Sequence, residues 1–159
     1  MSESGEISLV AVPPILVAGI RRKGSYRQIP VMIGELVEFI VRREIGPAGP
    51  PIYLWHEQSV EDAYRADASG DADIEVAFPV TGRTRPEGDI VTYELPGGLM
   101  ARVLHKGPYQ ECTGTYERLF AWLESEGRKV AGPIREIYLN DPREVRPDEI
   151  LTEILAPVV

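Results

Sequence analysis

The sequence holds a single cysteine, Cys112, among 159 residues. That excludes an internal disulfide and leaves no cysteine set for zinc. Histidine is almost as scarce, with His56 and His105 the only two, so no metal site is expected. Long apolar runs are missing, and nothing approaches the ~18 residues that would mark a membrane span. The opening residues, MSESGEISLV, carry neither a basic stretch nor an apolar signal core. A cytoplasmic location without a membrane partner is therefore expected. Positive charge is in deficit, with 17 Lys and Arg against 25 Asp and Glu and a net charge of −8. An acidic surface repels phosphate backbones, so nucleic acid is not an expected partner, whereas cations are not repelled. No phosphate-binding glycine loop, dinucleotide fingerprint or Gly-x-Ser-x-Gly elbow occurs, and no cofactor is expected.

What is present is the composition of a globular chain: 43% hydrophobic and 26% charged residues. A chain of this length buries roughly 70% of its unfolded surface and needs no covalent staple. The 15 glycines and 14 prolines stand at discrete points, as punctuation between elements.

The chain also repeats itself. Shifted by 83 residues, Glu6–Tyr26 lies over Asp89–Tyr109 without a gap. Ile7 meets Ile90, Pro13 meets Pro96, Lys23-Gly24 meets Lys106-Gly107 and Tyr26 meets Tyr109. The register runs on through Leu36 over Leu119 and Phe39 over Trp122. After a small gap GPPIYLWHE (49–57) matches GPIREIYLND (132–141), and IEVAFPV (74–80) matches TEILAPV (152–158), pairing Glu75 with Glu153. The reading is one domain over 1–159 made of two halves, 6–80 and 89–158.

Each half reads as strand, strand, helix, strand, strand. Strands are predicted over 6–12, 15–23, 51–56 and 73–80, and again over 89–95, 99–106, 135–140 and 150–157. Ile29, Met32, Ile33, Leu36, Phe39 and Ile40 recur at helical spacing, as do Cys112, Tyr116, Leu119, Phe120 and Leu123, with a stop near Gly127. The stretch 57–71 reads mainly as a solvated loop with at most a helical turn. The fold class is α+β: a duplicated module with pseudo-twofold symmetry, antiparallel sheet, helices on one face and a ligand groove between the halves. If the all-aliphatic strand faces pack on the helices, the opposite face keeps Tyr53, Trp55, Glu75, Tyr138 and Glu153.

At HKGPY (105–109), the AWL of the second helix, GPIREIYLNDP (132–142) and TEIL (152–155), the chain resembles the GyrI-like small-molecule-binding domain, which also serves as effector-binding domain of AraC- and MerR-type multidrug regulators. The resemblance covers about residues 6–158 and is strongest from 99 onward. It implies a groove that takes flat, apolar, often cationic molecules, with an acid of the final strand reaching into it. Glu153 matches that acid, Tyr138 a neighbouring aromatic and Trp122 a position usually aromatic. Only about five residues precede the first strand, so a stand-alone form without a DNA-binding domain is expected.

Glu153, set among Ile150, Leu151, Ile154 and Leu155, is the sharpest candidate, because a carboxylate losing water there needs a compensating cation. Tyr138, Tyr53 and Trp55 are candidates for stacking on a planar ligand, and Trp122, Phe39, Tyr116 and Met32 for lining the groove or filling the core. Glu75 is the repeat-related acid. His105 is expected to close a turn and Cys112 to be a buried structural thiol. Three functions follow. The leading one is a binding protein for amphipathic or cationic aromatic small molecules. The second, implied by the resemblance, is a hydrolase of cyclopropane-bearing or similar strained electrophiles using Glu153 and Tyr138. The third is a protein-interaction module of gyrase-inhibitor type, which leaves a protein partner open.

Overall fold

The computed structural model describes residues 6–57 and 59–159. All eight predicted strands are present: β1 (Ser8–Val12), β2 (Ile15–Gly24), β3 (Ile52–Trp55), β4 (Ala72–Pro79), β5 (Val91–Leu95), β6 (Gly98–Lys106), β7 (Ile134–Tyr138) and β8 (Leu151–Pro157). With them stand α1 (Ile29–Arg42), α2 (Val60–Ser69) and α3 (Cys112–Ser125). The α+β class read from the sequence holds, and every paired strand is antiparallel.

The chain forms two compact units. One is Pro14–Pro96 and the other is Gly97–Val159 together with the residues up to Pro13. In the first unit the strand order is β3-β4-β2-β5, and in the second it is β1-β6-β8-β7. The units differ from the sequence halves by one exchange: β1, from the first half, pairs with β6, and β5, from the second half, pairs with β2. The Pro13-Pro14 and Pro96-Gly97 turns are where the chain leaves one unit for the other. Proline cannot donate to a ladder, which suits it to that break.

Each sheet is covered by one amphipathic helix. Along α1, Met32, Leu36, Phe39 and Ile40 are buried at the spacing the sequence predicts, and α1 packs on β2 and β4. Along α3 the buried set is Cys112, Thr115, Tyr116, Leu119 and Leu123, and the helix lies on β6. Past its end Gly127 takes the left-handed conformation (φ 68°), while the Arg128 N–H donates to the Leu123 carbonyl.

The stretch expected as a loop contains α2, with Ser59 as N-cap accepting from the Asp62 N–H at 3.0 Å and Gly70 closing it at φ 71°. Both caps are visible in the sequence. The apolar stripe that would have marked a helix is weak, because beyond Val60 and the exposed Tyr64 its apolar residues are alanines.

Strand register decides which residues meet the helices. Directly opposed residues of antiparallel strands point to the same face. Tyr53 opposes Val76 and Trp55 opposes Ile74, while Leu54 opposes Glu75. In the other unit Tyr138 opposes Thr152 and Ile137 opposes Glu153. The aromatic residues and the two acids therefore lie on opposite faces, contrary to the expectation that they share one. The helix side is the aromatic side. Arg22, opposite Ile74, binds Glu35 of α1, and His105, opposite Thr152, binds Thr115 of α3. A one-residue change in register moves a whole strand face, and local alternation cannot show which register is adopted.

Candidate functional site

In the unit containing α3, β7 runs beneath the helix and presents Glu136 and Tyr138 to it, two residues apart on one strand face. The Tyr116 hydroxyl, carried by α3, donates to Oε2 of Glu136, and the Tyr138 hydroxyl donates to Oε1 at 3.3 Å. Tyr109, from the turn preceding α3, sets its ring edge-on to Tyr138 at 5.3 Å between centroids. Phe120 stacks on Tyr116 at 6.1 Å. One carboxylate is thus held by two phenols, with a third phenol and a phenyl ring in the next layer.

The electrostatics follow from that enclosure. Burial pushes the Glu136 carboxyl above its ordinary value, and hydrogen bonds from Tyr116 and Tyr138 offset this only in part. Burial, with Glu136 beside it, also raises Tyr116 well above an ordinary phenol, and raises Tyr109. The Cys112 thiol is pushed up to about 12, mainly by burial, which makes it the inert structural thiol expected. No ion pair among the described residues involves Glu136. A half-buried carboxylate in an aromatic cluster, with no cation paired to it among the described residues, is complementary to an organic cation.

His105 closes the turn before α3. Its Nε2–H donates to the Pro108 carbonyl at 3.0 Å, and Nδ1 lies 2.7 Å from the Thr115 hydroxyl. The carbonyl can only accept, so Nε2 carries the proton. Beside it in the register, Thr152 is fully buried, and its hydroxyl meets no hydrogen-bond partner among the described residues.

The expected acids stand elsewhere. Glu153 faces away from α3 and forms an ion pair with Arg102. Glu75 faces away from α1, 2.6 Å from Nε2 of His56 and accepting from the Tyr93 hydroxyl at 2.5 Å. Burial alone would raise Glu75, but the hydrogen bonds of His56 and Tyr93 together outweigh it and hold the carboxyl below its ordinary value. The Tyr93 ring lies over Gly19, where an added Cβ would come within 2.3 Å of the phenolic oxygen. Met32 and Phe39 are fully buried in the core under α1, with the Arg43 guanidinium 4.9 Å from the Phe39 ring centre. Trp122 is half-buried on α3. Of the aromatic candidates, Tyr116 and Tyr138 meet at Glu136.

Tyr53 and Trp55 meet in the other unit at Tyr26. The Tyr26 ring stands edge-on to Tyr53 at 6.0 Å, and its hydroxyl donates to Oε1 of Glu57. Oε2 of Glu57 accepts from the Asp73 N–H at 3.1 Å.

Sequence reasoning named neither Glu136 nor Glu57. A usable signal existed, since Glu136-x-Tyr138 and Tyr53-x-Trp55-x-Glu57 place each acid in the parity class of its aromatics.

Among the described residues no cluster of three or more His, Cys, Asp or Glu side chains could hold a metal ion, and no helix is long and apolar enough to cross a membrane.

Residues 5–159 match the family described as the GyrI-like small molecule binding domain. No curated protein matches the chain. Among solved structures, the C-terminal domain of EcmrR superposes with a TM-score of 0.85 at 21% identity, covering 97% of each chain. EcmrR in its DNA complex superposes at 0.83 and 21% identity, and the match covers 96% of this chain but only 57% of EcmrR. A hydrolase encoded by lin2189 from Listeria innocua gives 0.70 at 16% identity, over 99% of this chain and 94% of that one. SAV2435 bound to tetraphenylphosphonium gives 0.55 at 15% identity, over 97% and 94%. At these identities the solved structures establish a shared fold.

Proposed function

Because the chain belongs to the GyrI-like small-molecule-binding domain family, we propose that it binds amphipathic, planar organic cations, with Glu136 as counter-charge and Tyr109, Tyr116 and Tyr138 as aromatic walls. One observation carries the reading: Glu136 is held beneath α3 by phenol hydroxyls alone, with no cation paired to it among the described residues. Placing a ligand cation there removes the cost of an uncompensated, poorly hydrated carboxylate. Each aromatic face adds cation–π attraction of about 0.5–2 kcal/mol. The walls offer few directional hydrogen bonds, so shape and burial set a broad specificity. SAV2435, a similar fold bound to tetraphenylphosphonium, supports an amphipathic cation as ligand, and the tetrahedral shape of that ion does not bear on planarity.

Glu153 is the competing acid for the same role. A cation reaching it would have to displace Arg102, whose own charge would then lack a partner. Titrating a rhodamine or an ethidium-like dye into wild type, Glu136→Gln and Glu153→Gln separates the two. Glu136→Gln is expected to weaken binding by at least about tenfold, ~1.4 kcal/mol, with Glu153→Gln near wild type. The opposite ranking would move the cation to Glu153.

A second reading rests on the Tyr116–Glu136 hydrogen bond and the raised carboxyl. A buried carboxyl with a phenol on it suits general acid or base work, as in a hydrolase of cyclopropane-bearing or similar strained electrophiles. Turnover of such an electrophile, lost in Glu136→Gln while dye binding survives in Tyr116→Phe, would favour it.

A further inference from the structure

We propose that Glu57, with Tyr26, Tyr53 and Trp55, forms a second subsite for an organic cation, separate from Glu136 and standing on its own geometry. The four side chains converge at one point. The Tyr26 hydroxyl binds the Glu57 carboxylate, the Tyr53 ring lies edge-on to Tyr26 at 6.0 Å, and Trp55 stands between Tyr53 and Glu57 in the same alternation along the chain. β3 supplies Tyr53 and Trp55 on its helix side, and Glu57 follows two residues beyond Trp55. The turn before α1 supplies Tyr26.

Several acids of this unit are held by cations, whereas Glu57, like Asp67 with the Ser25 hydroxyl and the Tyr26 N–H, is held by neutral donors. Glu75 has His56, Asp73 has Arg21, Glu35 and Asp89 share Arg22, and Glu87 has Arg42 and Arg43. Glu57 accepts only neutral donors, the Tyr26 hydroxyl and the Asp73 N–H, and no ion pair among the described residues includes it. It is half-buried, as are Tyr26 and Trp55, while Tyr53 is 4% exposed. A ligand can therefore reach the carboxylate and the two outer rings, with Tyr53 as the floor. An uncompensated carboxylate beside three aromatic side chains has the chemistry of the Glu136 cluster, assembled from different residues. The ligand class is a compact organic cation with apolar flanks, such as a quaternary phosphonium or ammonium ion.

The test is equilibrium dialysis of tetraphenylphosphonium against the full chain, as wild type, Glu57→Gln and Glu136→Gln. Trp55 emission is followed separately in a Trp122→Phe background, where Trp55 is the remaining tryptophan. Wild type is expected to take up two equivalents and each single variant one. Quenching of Trp55 should need about tenfold more ligand once Glu57→Gln is added. Near-ultraviolet circular dichroism checks that Glu57→Gln keeps its packing, and Glu57→Asp, which keeps the charge, should retain the second equivalent. Uptake of one equivalent that vanishes in Glu57→Gln and persists in Glu136→Gln would support this subsite and refute the Glu136 reading. Unchanged uptake and unchanged Trp55 quenching in a folded Glu57→Gln would overturn the subsite, as would a wild type of two equivalents that loses both in Glu57→Gln or both in Glu136→Gln.

Discussion

If a cation binds the ionised Glu136, protons must compete with it. The relevant perturbation is therefore pH, with Glu136→Gln as control. Burial raises the Glu136 carboxyl above its ordinary 4.5, so the bound proton holds on at higher pH than on an exposed glutamate. The sign is fixed: the cation binds the form present above the raised pKa, and affinity falls as pH drops through it. Below that point each pH unit costs about tenfold, or roughly 1.36 kcal/mol. Above it, two unit charges about 4 Å apart attract by ~4 kcal/mol at an effective dielectric near 20. Desolvating the ligand takes back part of that, which leaves roughly 1.5–3 kcal/mol, or about 10- to 100-fold, as the cost of Glu136→Gln at neutral pH. Tyr109 and Tyr116 are raised phenols and stay neutral over this range, so they add no slope. The assay is fluorescence anisotropy of a rhodamine between neutral pH and about pH 4.5. Wild type should lose affinity toward the acid end of that range, and Glu136→Gln should be weak and flat. A wild-type affinity independent of pH, or a variant that keeps the wild-type slope, would refute the argument.

Other consequences concern the frame around the site. In Gly19→Ala the new Cβ would sit 2.3 Å from the Tyr93 oxygen, pushing the ring off Glu75. Overpacking plus a lost charged hydrogen bond should cost about 3–5 kcal/mol in urea denaturation, and a loss below about 1 kcal/mol would show that the ring moves freely. Glu75→Gln should destabilise by about 1–3 kcal/mol at pH 7. Because the folded Glu75 carboxyl lies below its ordinary 4.5, its stabilisation is present above that value, so the gap from wild type should close as pH falls beneath it, followed by thermal melts. Ser59→Ala removes the α2 cap and should cost about 1 kcal/mol locally. Amide exchange within Val60–Ser69 should then quicken while global stability holds.

Much of the fold was legible because it is local. The 83-residue repeat, the eight strands and the stripes of α1 and α3 all follow from periodicities along the chain. So did the turn closed by His105 and the inert Cys112, since a histidine beside Gly107-Pro108 and a thiol on a buried stripe have few other uses. The helix α2 was missed because its caps are clear but it has no stripe of large buried residues: its half-buried positions are Asp62, Ala63, Ala66 and Asp67. The parity of each strand was read correctly, yet parity gives two faces without saying which one a helix covers.

The sequence alone determined the duplicated α+β plan, an antiparallel sheet and the kind of chemistry on offer, acids interleaved with aromatics. Tertiary structure decided the rest. Pairing between residues far apart in the chain exchanged β1 and β5 between the repeats and set Tyr53 opposite Val76 and Tyr138 opposite Thr152. That register sent Glu75 and Glu153 to the side where His56 and Arg102 meet them, and left Glu136 beneath α3 and Glu57 against Tyr26, each without a resident cation among the described residues. Whether an acid is paired depends on neighbours brought together by folding, and no spacing along one strand carries that information.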